Sequence, residues 1–261
     1  MGGTGTGDPG IGTVDAALGD PGTGGTGARD TDAGDTDVGD TGVRDTGAGG
    51  LRRPWVVGVS GASGTPYAAA VLRALLDAGH PVDLVVSRAA RLTLLDETGR
   101  PFRDAYWAQD LADWLARDLG PADDVRYWTA GDLAAGPSSG SYPARGMVVV
   151  PASTAACAGI ALGLSKDLLQ RAAEVSLKER RPVVVVPRET PVTRAHLAHL
   201  IALSDVGAVV LPASPGFYGA GAKASAEQLV DFVAGKVLDV LGVEHSLFRR
   251  WSGELGSAGR G

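Results

Sequence analysis

The apolar positions of this chain come in two textures. Through residue 50 they are sparse among Gly, Asp and Thr, whereas from Trp55 they gather into short unbroken runs separated by stretches of helical spacing. The runs are WVVGVS (55–60), VDLVVS (82–87), VRYWT (125–129), MVVVPAS (147–153), PVVVVPR (182–188) and GAVVLP (207–212). Helices are predicted over 67–77, 88–97, 168–180, 193–205 and 226–242, with another after the PAST that ends the fourth run. Pro66 falls in the first turn of the first helix, where its missing N–H is harmless, and Gly79 closes that helix. Residues 99–124 are polar and contain Trp, and they read as helix and loop. Runs that are apolar throughout, rather than alternating, belong to strands buried on both faces, and such strands form a parallel sheet covered by helices. The pattern predicts one α/β domain over residues 51–261, doubly wound and Rossmann-like (flavodoxin-like), with its ligand beyond the carboxyl ends of the strands.

Composition sharpens the boundary at residue 50. Of 39 glycines, 17 lie in the first 50 residues, together with nine Asp, two Arg and no Lys or Glu. A loose repeat (RDTDAGDTDVGDTGVRDTGAGG) with so little apolar surface cannot offset its ordering entropy, so a disordered tail is expected over 1–50. That tail carries −7 and the whole chain −6, so residues 51–261 carry about +1. A near-neutral domain argues against a broad nucleic-acid-binding face. One cysteine, Cys157, excludes a disulfide framework and any multi-cysteine zinc site. MGGTGTGDPG has neither the basic start nor the apolar stretch of a signal peptide. Residues 147–164 are uncharged over 18 positions. They hold Pro, Ser and Thr after a strand-like run, so they read as a buried strand, loop and helix rather than a membrane span. A soluble, cytoplasmic protein with no membrane partner is expected.

Candidate chemistry sits at the strand ends. GVSGASG (58–64) joins the first strand to the first helix, and its amides with the helix N-terminus suit an anion or a polar ring; a tight structural turn reads equally well. Its spacing is not the G-x-G-x-x-G of dinucleotide folds. The acid that should follow is also misplaced, because Asp83 lies inside the second strand and Ser87-Arg88 stand at its end. No Gly-Lys-Ser/Thr follows, so it is not a phosphate loop of that class either. PAST (151–154), PRETP (187–191) and PASPGFYG (212–219) each place polar or aromatic residues next to Pro or Gly after a strand. Arg188-Glu189 would be costly there without a ligand or partner, a strand-end ion pair being the plainer alternative. Arg171, Lys178 and Arg181 lie on the helix of RAAEVSLKERRP, where a solvated basic face is the ordinary reading. His196 and His199 share a helix face without a third ligand nearby and read as ordinary helix histidines.

GVSGASG, VVSRAARLTLLDET, RAAEVSLKERRPVVVVPRETP and LPASPGFY, in this order and spacing, resemble the UbiX-type flavin prenyltransferases over about residues 55–251. The resemblance implies a flavoprotein that assembles as a homododecamer with active sites between subunits. Its reaction would join a dimethylallyl group from dimethylallyl monophosphate to N5 and C6 of reduced FMN, for use by a partner UbiD-type decarboxylase. By matching motif, Gly61, Ala62, Ser63, Ser87, Ser153, Thr154 and Arg171 would contact FMN. Lys178, Arg188, Glu189, Tyr218 and Lys236 would hold the allylic phosphate, and Ser63 and Glu97 would handle proton transfers. The residue types suit the reaction: ionising an allylic monophosphate needs cations on the departing phosphate and a proton donor beside it, here Glu189. Tyr218, Phe217 and Trp251 offer π-faces to an allylic cation. Asp123-Asp124 is followed by Val-Arg-Tyr, not by the further acid of a metal-dependent diphosphate site, so no metal is expected. Departures from the family pattern are Leu133 in place of a frequent aromatic residue, Ala152 and Ala156 in PASTAAC, and Lys166-Asp167. Two rivals remain on sequence grounds: an FMN-dependent decarboxylase of the cysteine-decarboxylase type, and a non-catalytic flavin carrier.

Overall fold

The computed structural model describes residues 52–120, 124–217, 224–251 and 253; the expected tail over 1–50 lies outside them. Six strands appear: β1 (Trp55–Val59), β2 (Val82–Val86), β3 (Val125–Thr129), β4 (Gly146–Ala152), β5 (Val183–Pro187) and β6 (Val209–Val210). They pair in parallel throughout, in the order β3-β2-β1-β4-β5-β6. Seven α-helices are described: α1 (Thr65–Asp77), α2 (Arg88–Thr98), α3 (Trp107–Leu115), α4 (Thr154–Ala161), α5 (Leu168–Lys178), α6 (Arg194–Asp205) and α7 (Ala226–Leu241).

The unbroken apolar runs are explained by a core on each side of the sheet. Val57, Val59, Leu84, Val86, Val148, Val150, Val184 and Val186 pack against α1, α3 and α7. Their alternate neighbours Val56, Val85, Met147, Val149, Val183 and Val185 pack against α4 and α5 and meet Leu203 of α6. Every residue of β1, β2 and β4 is buried, so successive side chains pointing to opposite faces are both removed from water.

Two expected boundaries move. The last run was expected as a strand over 207–212, but only Val209–Val210 pair as one, at an exposed edge next to Gly207 in the left-handed region (φ 93°). Main-chain bonds from Leu211 N to Val185 O and from Ala213 N to Pro187 O carry the chain along β5 beyond it. The helix expected over 168–180 ends at Lys178, where Arg180 turns to φ 55° and breaks it. Pro66 and Gly79 stand where expected, at the start and just past the end of α1.

Candidate active site

The strand order reverses direction between β1 and β4, since β2 and β3 lie to one side and β5 and β6 to the other. A crevice at such a switch point, on the carboxyl edge, is where doubly wound sheets hold ligands. The loops after β1 and β4 meet there through Ser60. Its buried hydroxyl donates to Pro151 O at 2.8 Å and accepts from Ser153 N at 2.6 Å. Local patterning gave no sign of this role, because Ser60 reads simply as the polar end of WVVGVS.

The glycine loop then turns into α1. Gly64 caps the helix with φ 115°, a conformation that disfavours any residue with a Cβ. Gly61 packs against α2 so closely that a Cβ would fall 2.4 Å from that of Ala89. The amides of Gly61, Ala62 and Ser63 donate to no acceptor among the described residues. Those of Gly64 and Thr65 behave differently: they donate to the Glu97 carboxylate at 2.8 and 2.9 Å, and Thr65 Oγ1 adds a bond of 2.7 Å. Glu97, in the last turn of α2, therefore occupies the positive end of α1, which the sequence had left as a place for an external anion. Burial pushes its carboxyl up, but bonds from Ser63, Thr65 and the two amides outweigh that and hold it below the usual carboxylate range. At neutral pH Glu97 is an ionised acceptor.

Ser87 and Ser153 cap the helices that follow β2 and β4. Ser87 accepts from Ala90 N at 3.1 Å and Ser153 from Ala156 N at 3.2 Å, so each hydroxyl keeps its proton for donation. Arg171, in the first turn of α5, donates through Nε to Ser138 O at 3.1 Å and through Nη1 to Glu174 at 3.0 Å. Arg188 follows β5 and donates through Nε to Ser63 O at 2.9 Å, linking the fifth strand's loop to the glycine loop. It lies close enough to oppose the upward push that burial gives the Tyr67 hydroxyl. Glu189 lines a cavity of about 220 Å³ between α4 and α6, together with Thr154, Cys157, His196 and His199. His196 also accepts from Thr193 N at 3.2 Å, completing the cap of α6.

One chain thus gathers Gly61, Ala62, Ser63, Ser87, Glu97, Ser153, Thr154, Arg171, Arg188 and Glu189 along the carboxyl edge. Lys178 is elsewhere. It ends α5 just ahead of β5, whereas Arg188 follows the opposite, carboxyl end of that strand. There it pairs with Glu179 and packs on Gly140, whose carbonyl accepts from Arg181 at 2.6 Å. Lys236 lies well along α7, bonded to Asp239. Tyr218 is outside the described residues. Asp83 is fully buried inside β2 and accepts from Trp128 Nε1 at 3.0 Å. Burial raises its carboxyl pKa against the pull of Trp128 and Tyr142. Among the described residues no cluster of His, Cys, Asp or Glu could hold a metal ion, and no helix is long and apolar enough to cross a membrane.

Comparison with known proteins agrees with this layout. A family model described as Flavoprotein matches residues 48–238. The flavin prenyltransferase UbiX of Streptomyces coelicolor is 67% identical over 213 residues, 78% of this chain and 98% of that protein. The crystal structure of AnUbiX in complex with FMN and dimethylallyl pyrophosphate superposes with a TM-score of 0.67 at 36% identity, covering 78% of this chain and 99% of that one. A dodecameric FMN-dependent UbiX-like decarboxylase from Escherichia coli O157:H7 gives 0.65 at 37% identity over 77% of this chain and all of its own. The chain belongs to the flavoprotein family and, within it, to the UbiX flavin prenyltransferases.

Proposed function

We propose that this protein transfers a dimethylallyl group from dimethylallyl monophosphate to N5 and C6 of reduced FMN, and that the prenylated flavin serves a partner UbiD-type decarboxylase. The observation that carries the reading is the carboxyl edge, where glycine-loop amides that meet no acceptor among the described residues and two serine-capped helix starts share one side of the sheet with Glu189 and with Arg188, which is tied to the glycine loop. These residues fit FMN. The amides of Gly61, Ala62 and Ser63 and the hydroxyls of Ser87, Ser153 and Thr154 supply neutral donors, and Arg171 supplies a cation for its phosphate. Reduced FMN provides the nucleophilic atoms.

The protein's part is electrostatic. Arg188 takes up charge on the departing phosphate, and Glu189 delivers a proton to it. Glu97, ionised and bonded to Ser63, would accept through that hydroxyl the proton the flavin loses when C6 is alkylated. Lys178 and Lys236 complete the phosphate pocket from neighbouring copies, because both stand away from the carboxyl edge of their own chain; Tyr218 joins the pocket by its motif alone. Active sites shared between copies fit a homododecamer.

The test is anaerobic incubation of purified protein with reduced FMN and dimethylallyl monophosphate, followed by mass spectrometry of the extracted flavin. A gain of one dimethylallyl unit, lost in Glu189→Gln, supports transfer from the monophosphate. Gain only with the diphosphate changes the donor. Flavin bound but unchanged with either donor favours a carrier, and no bound flavin overturns the reading.

A further inference from the structure

Beyond the carboxyl edge, one ionic cluster surrounds Lys236. Asp239, one turn along α7, accepts from Lys236 Nζ at 3.2 Å through Oδ2. Its Oδ1 takes His245 Nε2 at 3.0 Å and Arg250 Nη1 at 2.6 Å. His245 and Arg250 belong to the strap of residues 243–251 that folds back over α7. The strap is pressed close: a Cβ on Gly235 would fall 2.5 Å from the Phe248 ring and 2.7 Å from His245 Cε1. Phe248 also meets Phe232 with ring centres 5.0 Å apart, and the Arg250 guanidinium stacks over Phe248. The His245 side chain is 3% exposed, and its Nδ1 accepts from Leu247 N at 3.2 Å. A ring nitrogen that accepts carries no proton, so the proton is on Nε2 and is donated to Asp239. Arg250 Nη2 lies 3.3 Å from that same Nε2, so the arginine's firm hold is the one on Asp239.

We propose that Asp239 is the positioning residue for Lys236, fixing the ammonium against the C-terminal strap so that it is already aimed when a phosphate arrives. The inference rests on the reading of Lys236 as a phosphate ligand. One carboxylate faces two permanent cations and a neutral imidazole, which leaves the cluster about one charge positive. Lys236 has three N–H donors and gives one to Asp239, so two remain for phosphate oxygens. Its flexible stem is held before binding, which lowers the ordering cost that binding would otherwise meet.

The experiment uses the assembled full chain. Asp239→Asn is expected to raise KM for the allylic phosphate about tenfold, the equivalent of one lost positioning contact, with kcat and FMN affinity kept. Inorganic phosphate, titrated calorimetrically into the FMN-loaded protein, should weaken by the same factor. In a Lys236→Met background Asp239→Asn should change neither quantity further. Arg250→Met, at an exposed side chain, should weaken phosphate in the same direction and less, which keeps the test open if Asp239→Asn folds poorly. Equal losses with and without Lys236, or a loss confined to kcat or FMN affinity, overturn the proposal. So does phosphate binding indifferent to Lys236→Met. Phosphate binding that depends on Lys236 and Asp239 in a protein that transfers no prenyl group would sink the functional reading and leave this inference standing.

Discussion

Around the carboxyl edge, polar groups bond to partners far along the chain: Ser60 to Pro151 and Ser153, 91 and 93 residues away, and Arg188 to Ser63, 125 residues away. Lys178 and Lys236 bond instead to carboxylates one and three residues away. The first region is assembled by folding of a single chain, and its geometry is fixed once the sheet forms. In the second, the ammonium groups bond only to carboxylates close in sequence, a pattern that suits a face presented to another copy. A flavin pocket built within the chain and a phosphate pocket divided between chains is the arrangement this contrast supports.

The largest expected effect comes from exchanging the two kinds of cation. Arg188→Ala should lower prenyl transfer by about 10²–10³-fold, the usual size for losing one donor to developing charge, and should weaken FMN as well because the glycine loop loses its tie. Lys178→Met should cost a comparable factor in turnover, with FMN affinity and thermal midpoint unchanged. Product formation and flavin titration separate the two, and equal effects on flavin binding would break the contrast. Next, Ser60→Ala orphans the half-buried Ser153 amide and should destabilise by about 1–3 kcal/mol in urea unfolding.

A smaller, pH-dependent effect attaches to Glu97. Its carboxyl pKa is lowered by folding, so the stability it contributes is complete above the ordinary glutamate value of 4.5 and is lost as pH falls through the folded value. Glu97→Gln should therefore be less stable than the parent at neutral pH, and the difference should close on acidification below that value. The smallest effect is predicted for Gly140→Ala. The nearest atoms the added Cβ would meet are the side-chain ends of Glu179 and Lys178 rather than backbone. Unfolding should shift by well under 1 kcal/mol, as for surface changes generally, while KM for the allylic phosphate rises because Lys178 is displaced.

The same contrast separates what could be read from the chain from what could not. The strands were legible because burial on both faces leaves an unbroken apolar run, and α1 because Pro66 and Gly79 mark its ends. The edge strand was over-extended because GAVVLP is apolar enough for a strand yet lies where only one neighbour pairs with it. The positions of Ser63, Ser153 and Arg188 followed from strand ends. The roles of Ser60 and Asp239, and Glu97's occupation of the start of α1, did not. Each depends on which polar side chain tertiary packing brings opposite it, and no local periodicity carries that information.

Cys157 is the sole cysteine, buried on α4 against the α4–α6 cavity, with its thiol pushed up to about 11 by burial. Only a thiolate reacts with an alkylating reagent, and only when it is reached. Labelling of Cys157 should therefore be slow, at a rate set by how often the sulfur is both reached and deprotonated. The protein thus carries a single natural reporter on the cavity it shares with Glu189, readable by mass spectrometry without adding a probe.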